Sequence, residues 1–264
     1  MNPFFPIALA ACAAALVSLP AQAQDVNALV KAADQYRMTA DNLQVDTQVQ
    51  LFNADGSLNK ERRYTVFAQA GRQSLVLMQS PAEKSQKVLM LGDDFWLLMP
   101  NSQRPVRITP MQKLLGDAST GDIATLSWSG DYAATLQGEG ACQSGEEKQT
   151  KIGSIALSEN KQCYHISLSA SRKGVTYQRI ELWVGKQRHE PVRAELYVQS
   201  DKLAKQAHFV LDKAGPGALV SDMLLVDSLA NQKVTRISYL GRKSRTVPTE
   251  WLNPMFLARN PALE

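Results

Sequence analysis

Leu43-Gln-Val-Asp-Thr-Gln-Val-Gln-Leu51 alternates without a break. Leu43, Val45, Thr47, Val49 and Leu51 take one parity; Gln44, Asp46, Gln48 and Gln50 take the other. Successive side chains of a strand point to opposite faces. The pattern therefore predicts a half-buried antiparallel strand with one wet face. Ala54-Asp-Gly-Ser57 turns the chain. Residues 60–69 and 73–79 follow as a pair around Gly71-Arg72. Here both parities become apolar, with Tyr64, Val66 and Ala68 on one, Phe67 on the other, then Leu75-Val-Leu-Met78.

Upstream, Asp25 reads as a helix N-cap. Val26, Leu29, Val30, Ala33 and Tyr36 then recur at helical spacing until the pattern ends near Met38. Downstream, Val88-Leu-Met-Leu91 and Phe95-Trp-Leu-Leu-Met99 flank Gly92-Asp-Asp94 as a hairpin apolar on both faces. Residues 104–109 return as a strand. Further strands read at 131–136, 151–157, 162–169, 175–184, 190–199, 206–212, 218–226 and 232–240. Glu159-Asn160, Lys173-Gly174, Gly185-Lys186 and Gly215-Pro-Gly217 punctuate them. So many strands on short links predict a mainly β protein with short helices, its antiparallel sheet closing on itself or nearly so.

Pro110 to Trp128 breaks the pattern. Met111, Leu114 and Leu115 fit one helical turn, and Thr120 or Gly121 caps a second that carries Ile123, Ala124 and Leu126. Such an insert either covers the mouth of a curved sheet or packs as a crossover on its outer side.

Met1 to Ala23 carries no charged side chain. An apolar run from Ile7 to Val17 precedes Pro20 and an Ala21-Gln-Ala23 site before Gln24. The reading is a signal peptide over 1–23 and an exported, periplasmic single domain over 24–264 of a Gram-negative bacterium. The alternative is a membrane-anchored lipoprotein, because Leu9-Ala-Ala-Cys12 resembles a lipobox.

The 264 residues are 44% hydrophobic and 20% charged, which fits a globular chain rather than a disordered one. The net charge of +4 is mild, and no basic stretch is dense enough for nucleic acid. Lys233, Arg236, Arg242, Lys243 and Arg245 form a basic cluster, read either as a solvated strand end or as a patch facing an anionic surface. Trp251, Met255 and Phe256 are read either as packing a final turn against the barrel rim or as an exposed aromatic patch for a partner.

Cys142 and Cys163 remain once Cys12 leaves with the leader. An oxidising compartment favours one disulfide, tying the Gly138–Gly145 loop to the strand around Tyr164. The alternative is two unpaired thiols.

The search for catalysis yields no residue. His165, His189 and His208 are scattered, without metal-ligand spacing. Ser57-Leu-Asn-Lys60 matches S-x-x-K but sits in a turn. Asp93-Asp94 and the pair Asp117 and Asp122 lie at turns or caps, where backbone hydrogen bonding explains an aspartate. The expectation is no enzyme, no metal and no cofactor.

The apolar positions carry more weight. Val88, Met90, Trp96 and Leu98 share one numerical parity; Leu89, Leu91, Phe95, Leu97 and Met99 share the other. One set can pack under helices while the other lines a cavity for acyl chains. Met78, Met90, Met99 and Met111 would then supply deformable walls. Alternatively both sets are ordinary core. The parity that faces inward depends on hairpin register.

Order and spacing over nearly the whole exported chain resemble the LolA-like outer-membrane lipoprotein-sorting superfamily, in its broader branch of exported proteins. The densest part is Lys87-Val-Leu-Met-Leu-Gly-Asp-Asp-Phe-Trp-Leu-Leu-Met-Pro100, then Arg104-Pro-Val-Arg-Ile108, Gly116-Asp117 and Gly121-Asp-Ile123. Lys233 to Leu240, Val247-Pro248 and Phe256-Leu257 fit its ending. The resemblance implies a strongly curved antiparallel half-barrel with an N-terminal helix and short helices lidding an apolar cavity. On that reading Tyr64, Val66, Met78, Val88, Met90, Trp96 and Leu98 are wall candidates, and Met111, Leu115 and Ile123 lid candidates. Arg62 and Arg63 are candidates for an early-strand arginine that holds the lid. The implied function is a non-enzymatic, monomeric carrier of lipid or acyl-chain cargo. An inner-membrane transporter would load it or an outer-membrane acceptor would receive from it. A sensor or protein-interaction module on the same fold is the alternative.

Overall fold

The computed structural model describes residues 25–125, 127–142, 162–227 and 233–263. The leader reading over 1–23, Cys12, Leu126 and the strand read at 151–157 lie outside the described residues.

Helix α1 (Val26–Gln35) begins at Asp25, whose carboxylate accepts the amides of Asn27 at 3.0 Å and Ala28 at 3.3 Å. Leu29, Val30 and Ala33 form its buried stripe. Then β1 (Leu43–Phe52), β2 (Leu58–Gln69), β3 (Gln73–Met78), β4 (Lys87–Leu91), β5 (Asp94–Leu98) and β6 (Val106–Ile108) run as a meander to one sheet edge. The chain leaves the sheet there. It forms a small hairpin, β7 (Lys113–Leu115) and β8 (Ala118–Ser119), and the helix α2 (Thr120–Ala124). It re-enters at the opposite edge as β9 (Tyr132–Ala141). From there β10 (Gln162–Ala170), β11 (Arg179–Gly185), β12 (Pro191–Tyr197), β13 (Leu203–Leu211), β14 (Val220–Asp227) and β15 (Val234–Ser244) meander back until β15 pairs with β1. A 3-10 turn at Thr249–Leu252 and α3 (Pro254–Leu257) end the chain.

Among the described residues this is one sheet of 13 antiparallel strands, open between β6 and β9. It curves around its main core without closing. That core joins Val45, Tyr64, Val76 and Val88 from the early strands to Ile166, Leu182, Ala207 and Leu225 from the late ones, with α1 and α2 between them. Only a strongly curved sheet brings its distant strands onto one cluster, so this is the concave face. β1 lies mid-sheet with Val45 and Val49 fully buried here, as its alternation requires.

The outer face differs between the halves. Over β2–β5 it is apolar: Phe67, Leu75, Leu89 and Leu98 pack under Val247, Trp251 and Leu257 of the C-terminal segment. Trp251 meets Phe67 edge-to-face at 5.6 Å. The expectation of a turn against the rim is refined: the tail covers the outer face, with Trp251 buried and Met255 exposed. Over β10–β15 the outer face carries charged pairs, beside a small apolar cluster of Leu224, Val234 and Phe52. Glu181 accepts from Arg179, Ser167 and His165, and Asp222 accepts from Arg236 and Ser238.

Three local readings are corrected. The helical turn expected at Met111–Leu115 is the β7–β8 hairpin. Its turn residue Gly116 has φ +56°, and a Cβ there would stand 2.4 Å from Thr235 Oγ1. The cap of α2 is Ser119, one residue before the expected position. β9 continues to Ala141, so residues 138–141 are strand rather than loop; the disulfide from the next residue, Cys142, to Cys163 staples neighbouring strands β9 and β10.

Candidate functional site

Topology dictates where the site lies. The chain from Thr109 to Asp131 must travel from the β6 edge to the β9 edge of an open, curved sheet. It does so across the concave side, where Leu115, Ile123, Ala124 and Trp128 join the main core. The segment is a lid. All five residues of α2 are buried.

Polar contacts fasten the lid in two places. At its centre, Asp122 Oδ2 accepts the Ser119 amide at 2.8 Å and the Ser119 hydroxyl at 2.7 Å. The same oxygen accepts Lys205 Nζ from β13 at 2.7 Å. Asp122 Oδ1 accepts the Tyr177 hydroxyl at 2.7 Å. Lys205 also donates to the Asp117 carbonyl, and the Asp117 amide donates to Thr235 Oγ1 at 2.9 Å. Burial pushes the Asp122 carboxyl up, but the Lys205 ammonium and the surrounding donors outweigh it and hold the group below the usual carboxylate range. Burial, reinforced by Asp122, pushes the Tyr177 phenol well above its ordinary value. The lid is therefore bolted to the sheet by an ionised carboxylate and a neutral phenol.

The second fastening is at the arm that leads into β9. Asp34 near the end of α1 accepts the amides of Trp128 at 2.8 Å and Ser129 at 2.7 Å. Its burial raises the carboxyl above the ordinary range despite those donors. Arg37 Nη2 donates to the Thr125 carbonyl at 3.3 Å, and its guanidinium lies 4.4 Å from the Trp128 ring centre. Trp128 in turn meets Phe209 edge-to-face at 5.6 Å. Further out, Asp131 faces Arg72 at 3.3 Å and Arg172 at 3.7 Å.

Two spaces flank this arm. Beneath it is an interior void of about 40 Å³, walled largely by apolar groups including Trp128, Tyr177, Ile180, Leu196, Phe209 and Met223. Outside it is a wider vestibule of about 380 Å³, bounded by Met38, Gln69, Arg72, Met90 and Arg172. Thr125, Ser127 and Asp131 wall both. Movement of this one arm would join the vestibule to the apolar interior.

The structure distributes the sequence candidates unevenly. Tyr64, Val66, Met78, Val88, Met90, Leu115 and Ile123 lie together in the concave core, with Met111 packed against it. Trp96 and Leu98 do not share their face. β4 pairs with β5 so that Val88 stands opposite Leu97, and Leu89 opposite Trp96. Cross-strand partners share a face, so parity switches across the turn and Trp96 and Leu98 fall under the C-terminal segment. Of the wall and lid candidates, Met90 borders the vestibule and none borders the interior void. Arg62 and Arg63 form ion pairs with Glu83 at 3.0 Å and Glu61 at 3.3 Å. The cation paired with Asp122 of the lid is Lys205, which the sequence reading missed. The basic cluster is partly paired on the protein itself: Arg236 pairs with Asp222, and Arg245 stacks near Phe67 and Trp251. Among the described residues no cluster of His, Cys, Asp and Glu suits a metal ion.

An open antiparallel half-barrel with a bolted lid over an apolar concave face defines a LolA-like protein. Solved structures agree. A LolA superfamily protein from Nitrosomonas europaea is 26% identical, with TM-score 0.73, over 86% of this chain and 97% of its own. A DUF1329 family protein from Desulfovibrio piger is 20% identical with TM-score 0.62, over 86% and 97% of the two chains. A domain assigned to outer membrane lipoprotein sorting, from Vibrio parahaemolyticus, is 14% identical with TM-score 0.63, over 88% and 98%. No curated protein sequence matches. A family model described as an uncharacterized protein matches residues 70–259, and the chain belongs to that family.

Proposed function

We propose that this protein is a non-enzymatic periplasmic carrier that shelters the acyl chain of a lipid or of an acylated protein against its concave face. One observation carries the reading: a single crossover spans both edges of the open sheet, covers an apolar interior, and is held there by a buried ion pair. Apolar burial supplies the affinity, about 0.8 kcal/mol per methylene removed from water. The LolA-like fold is consistent with this role. Among the described residues no helix is long and apolar enough to cross a membrane.

The interior void of about 40 Å³ is far below the roughly 300–1,000 Å³ of small-molecule sites. Loading on this reading requires the arm at residues 127–131 to lift and the chain to enter from the vestibule. A transporter or acceptor acts on the lid by binding its open arrangement better than its closed one. The same small void favours a second reading, an envelope sensor or interaction module that binds a protein partner on this fold.

Native mass spectrometry of the exported protein, with lipid extraction and subsequent titration with phospholipids and acylated peptides, separates the two. The carrier reading expects a stoichiometric acyl-bearing adduct, co-purified or taken up on titration. A protein that takes up none of these ligands contradicts it and leaves the interaction module.

A further inference from the structure

The geometry points to an anionic headgroup on the acyl ligand, received by Arg37 at the threshold of the interior. This rests on the carrier reading and adds the chemistry of the cargo's polar end. Arg37 is only 4% exposed, at the end of α1. A guanidinium carries five donors. Among the described residues its single side-chain hydrogen bond is the 3.3 Å contact to the Thr125 carbonyl, and Nε is buried with no partner there. Its guanidinium also lies over the faces of Trp128, at 4.4 Å, and Phe209, at 5.9 Å, with the Arg242 cation within electrostatic reach. Asp34, the nearby carboxylate, spends its oxygens on the amides of Trp128 and Ser129. A buried cation so poorly paired is costly.

The position is informative too. Arg37 lines the apolar void, while its neighbour Met38 lines the vestibule. A ligand entering past the lifted arm would lose the Thr125 contact to Arg37 and place its own polar end there, with its chain directed inward. A planar, forked donor set with a free Nε matches a carboxylate or phosphate, which accepts two parallel hydrogen bonds. The vestibule arginines are less suited, because Arg72 and Arg172 already face Asp93 and Asp131.

The test compares three probes of equal chain length on the full exported protein by calorimetry: a long-chain fatty acid, the corresponding lysophosphatidylglycerol and the fatty alcohol. We expect at least one anionic probe to bind the wild type about tenfold or more tighter than the alcohol. Preference for the carboxylate alone names free fatty acid as the source; preference for the phosphate alone names a phospholipid. Arg37→Gln should bring anionic and neutral affinities to within about twofold of one another. Equal binding of all three by the wild type overturns the inference while leaving the carrier reading intact. Failure of all three to bind overturns the inference, and the carrier reading falls with it when phospholipids and acylated peptides also fail to bind. The wild-type comparison stands even where Arg37→Gln weakens the fold.

Discussion

Lys205 Nζ stands 2.7 Å from Asp122 Oδ2, with side-chain exposures of 6% and 3%. The two residues are 83 positions apart. One belongs to the sheet and the other to the lid, so their bond makes the lid part of the fold. Removing one partner strands a buried charge, which typically costs about 3–5 kcal/mol. Lys205→Met should therefore lower unfolding free energy by about that amount in urea denaturation. Adding Asp122→Asn should recover part of the loss, because the stranded charge is gone. A double variant no more stable than Lys205→Met would show that the pair is not coupled.

His208 sets a limit on acid stability. Its ring is buried on the outer face of β13, opposite Arg193 of β12. Burial first, and Arg193 second, push its pKa down from 6.5 to about 4. The unfolded chain then binds a proton that the folded chain does not, so stability falls as the pH drops from about 6.5 towards 4. The loss should reach about 3 kcal/mol at pH 4 relative to pH 7. His208→Gln should flatten this part of the profile. An unchanged slope in the variant would assign the acid loss to other groups.

The Cys142–Cys163 bond closes a sequence separation of 21 residues. Replacing both cysteines with serine should reduce stability by about 2–4 kcal/mol. Thermal unfolding of the oxidised protein, the reduced protein and the double variant measures this. Reduced protein and variant should melt together, below the oxidised form.

The C-terminal cover and the concave interior should separate in function. Trp251→Ala removes the aromatic that seals the outer face and should cost about 3–5 kcal/mol. The folded fraction should still bind acyl ligand with wild-type affinity, because Trp251 belongs to the outer cluster. Loss of binding in a variant shown to be folded by circular dichroism would place the ligand on the outer face.

Much of the sheet was legible because strand alternation is local. β1 declares its buried face in its own residues, and most of the later strands announce themselves between glycine and proline turns. The β4–β5 hairpin shows where local reading stops. Both faces are visibly apolar in the sequence, yet only the pairing of Leu89 with Trp96 reveals which residues share a face. The lid's existence was visible as a break in the strand pattern, but its fastenings were not. Lys205 falls just before the strand read at 206–212 and carries no signal of its own, and Tyr177 and Phe209 read as ordinary alternating positions. Each acquires its role from a crossover that carries the chain from one sheet edge to the other.

The most direct test asks whether an acyl chain reaches the interior. The protein has four tryptophans. Trp128 lines the interior void, whereas Trp183 lies on the outer face between His165 and Arg193. Two variants, each keeping only one of these and carrying phenylalanine at the other tryptophan positions, would be titrated with a fatty acid brominated along its chain. Bromine quenches indole fluorescence only near contact. The account predicts saturable quenching of Trp128 and none of Trp183. Stoichiometric binding that quenches Trp183 and leaves Trp128 unchanged would contradict it.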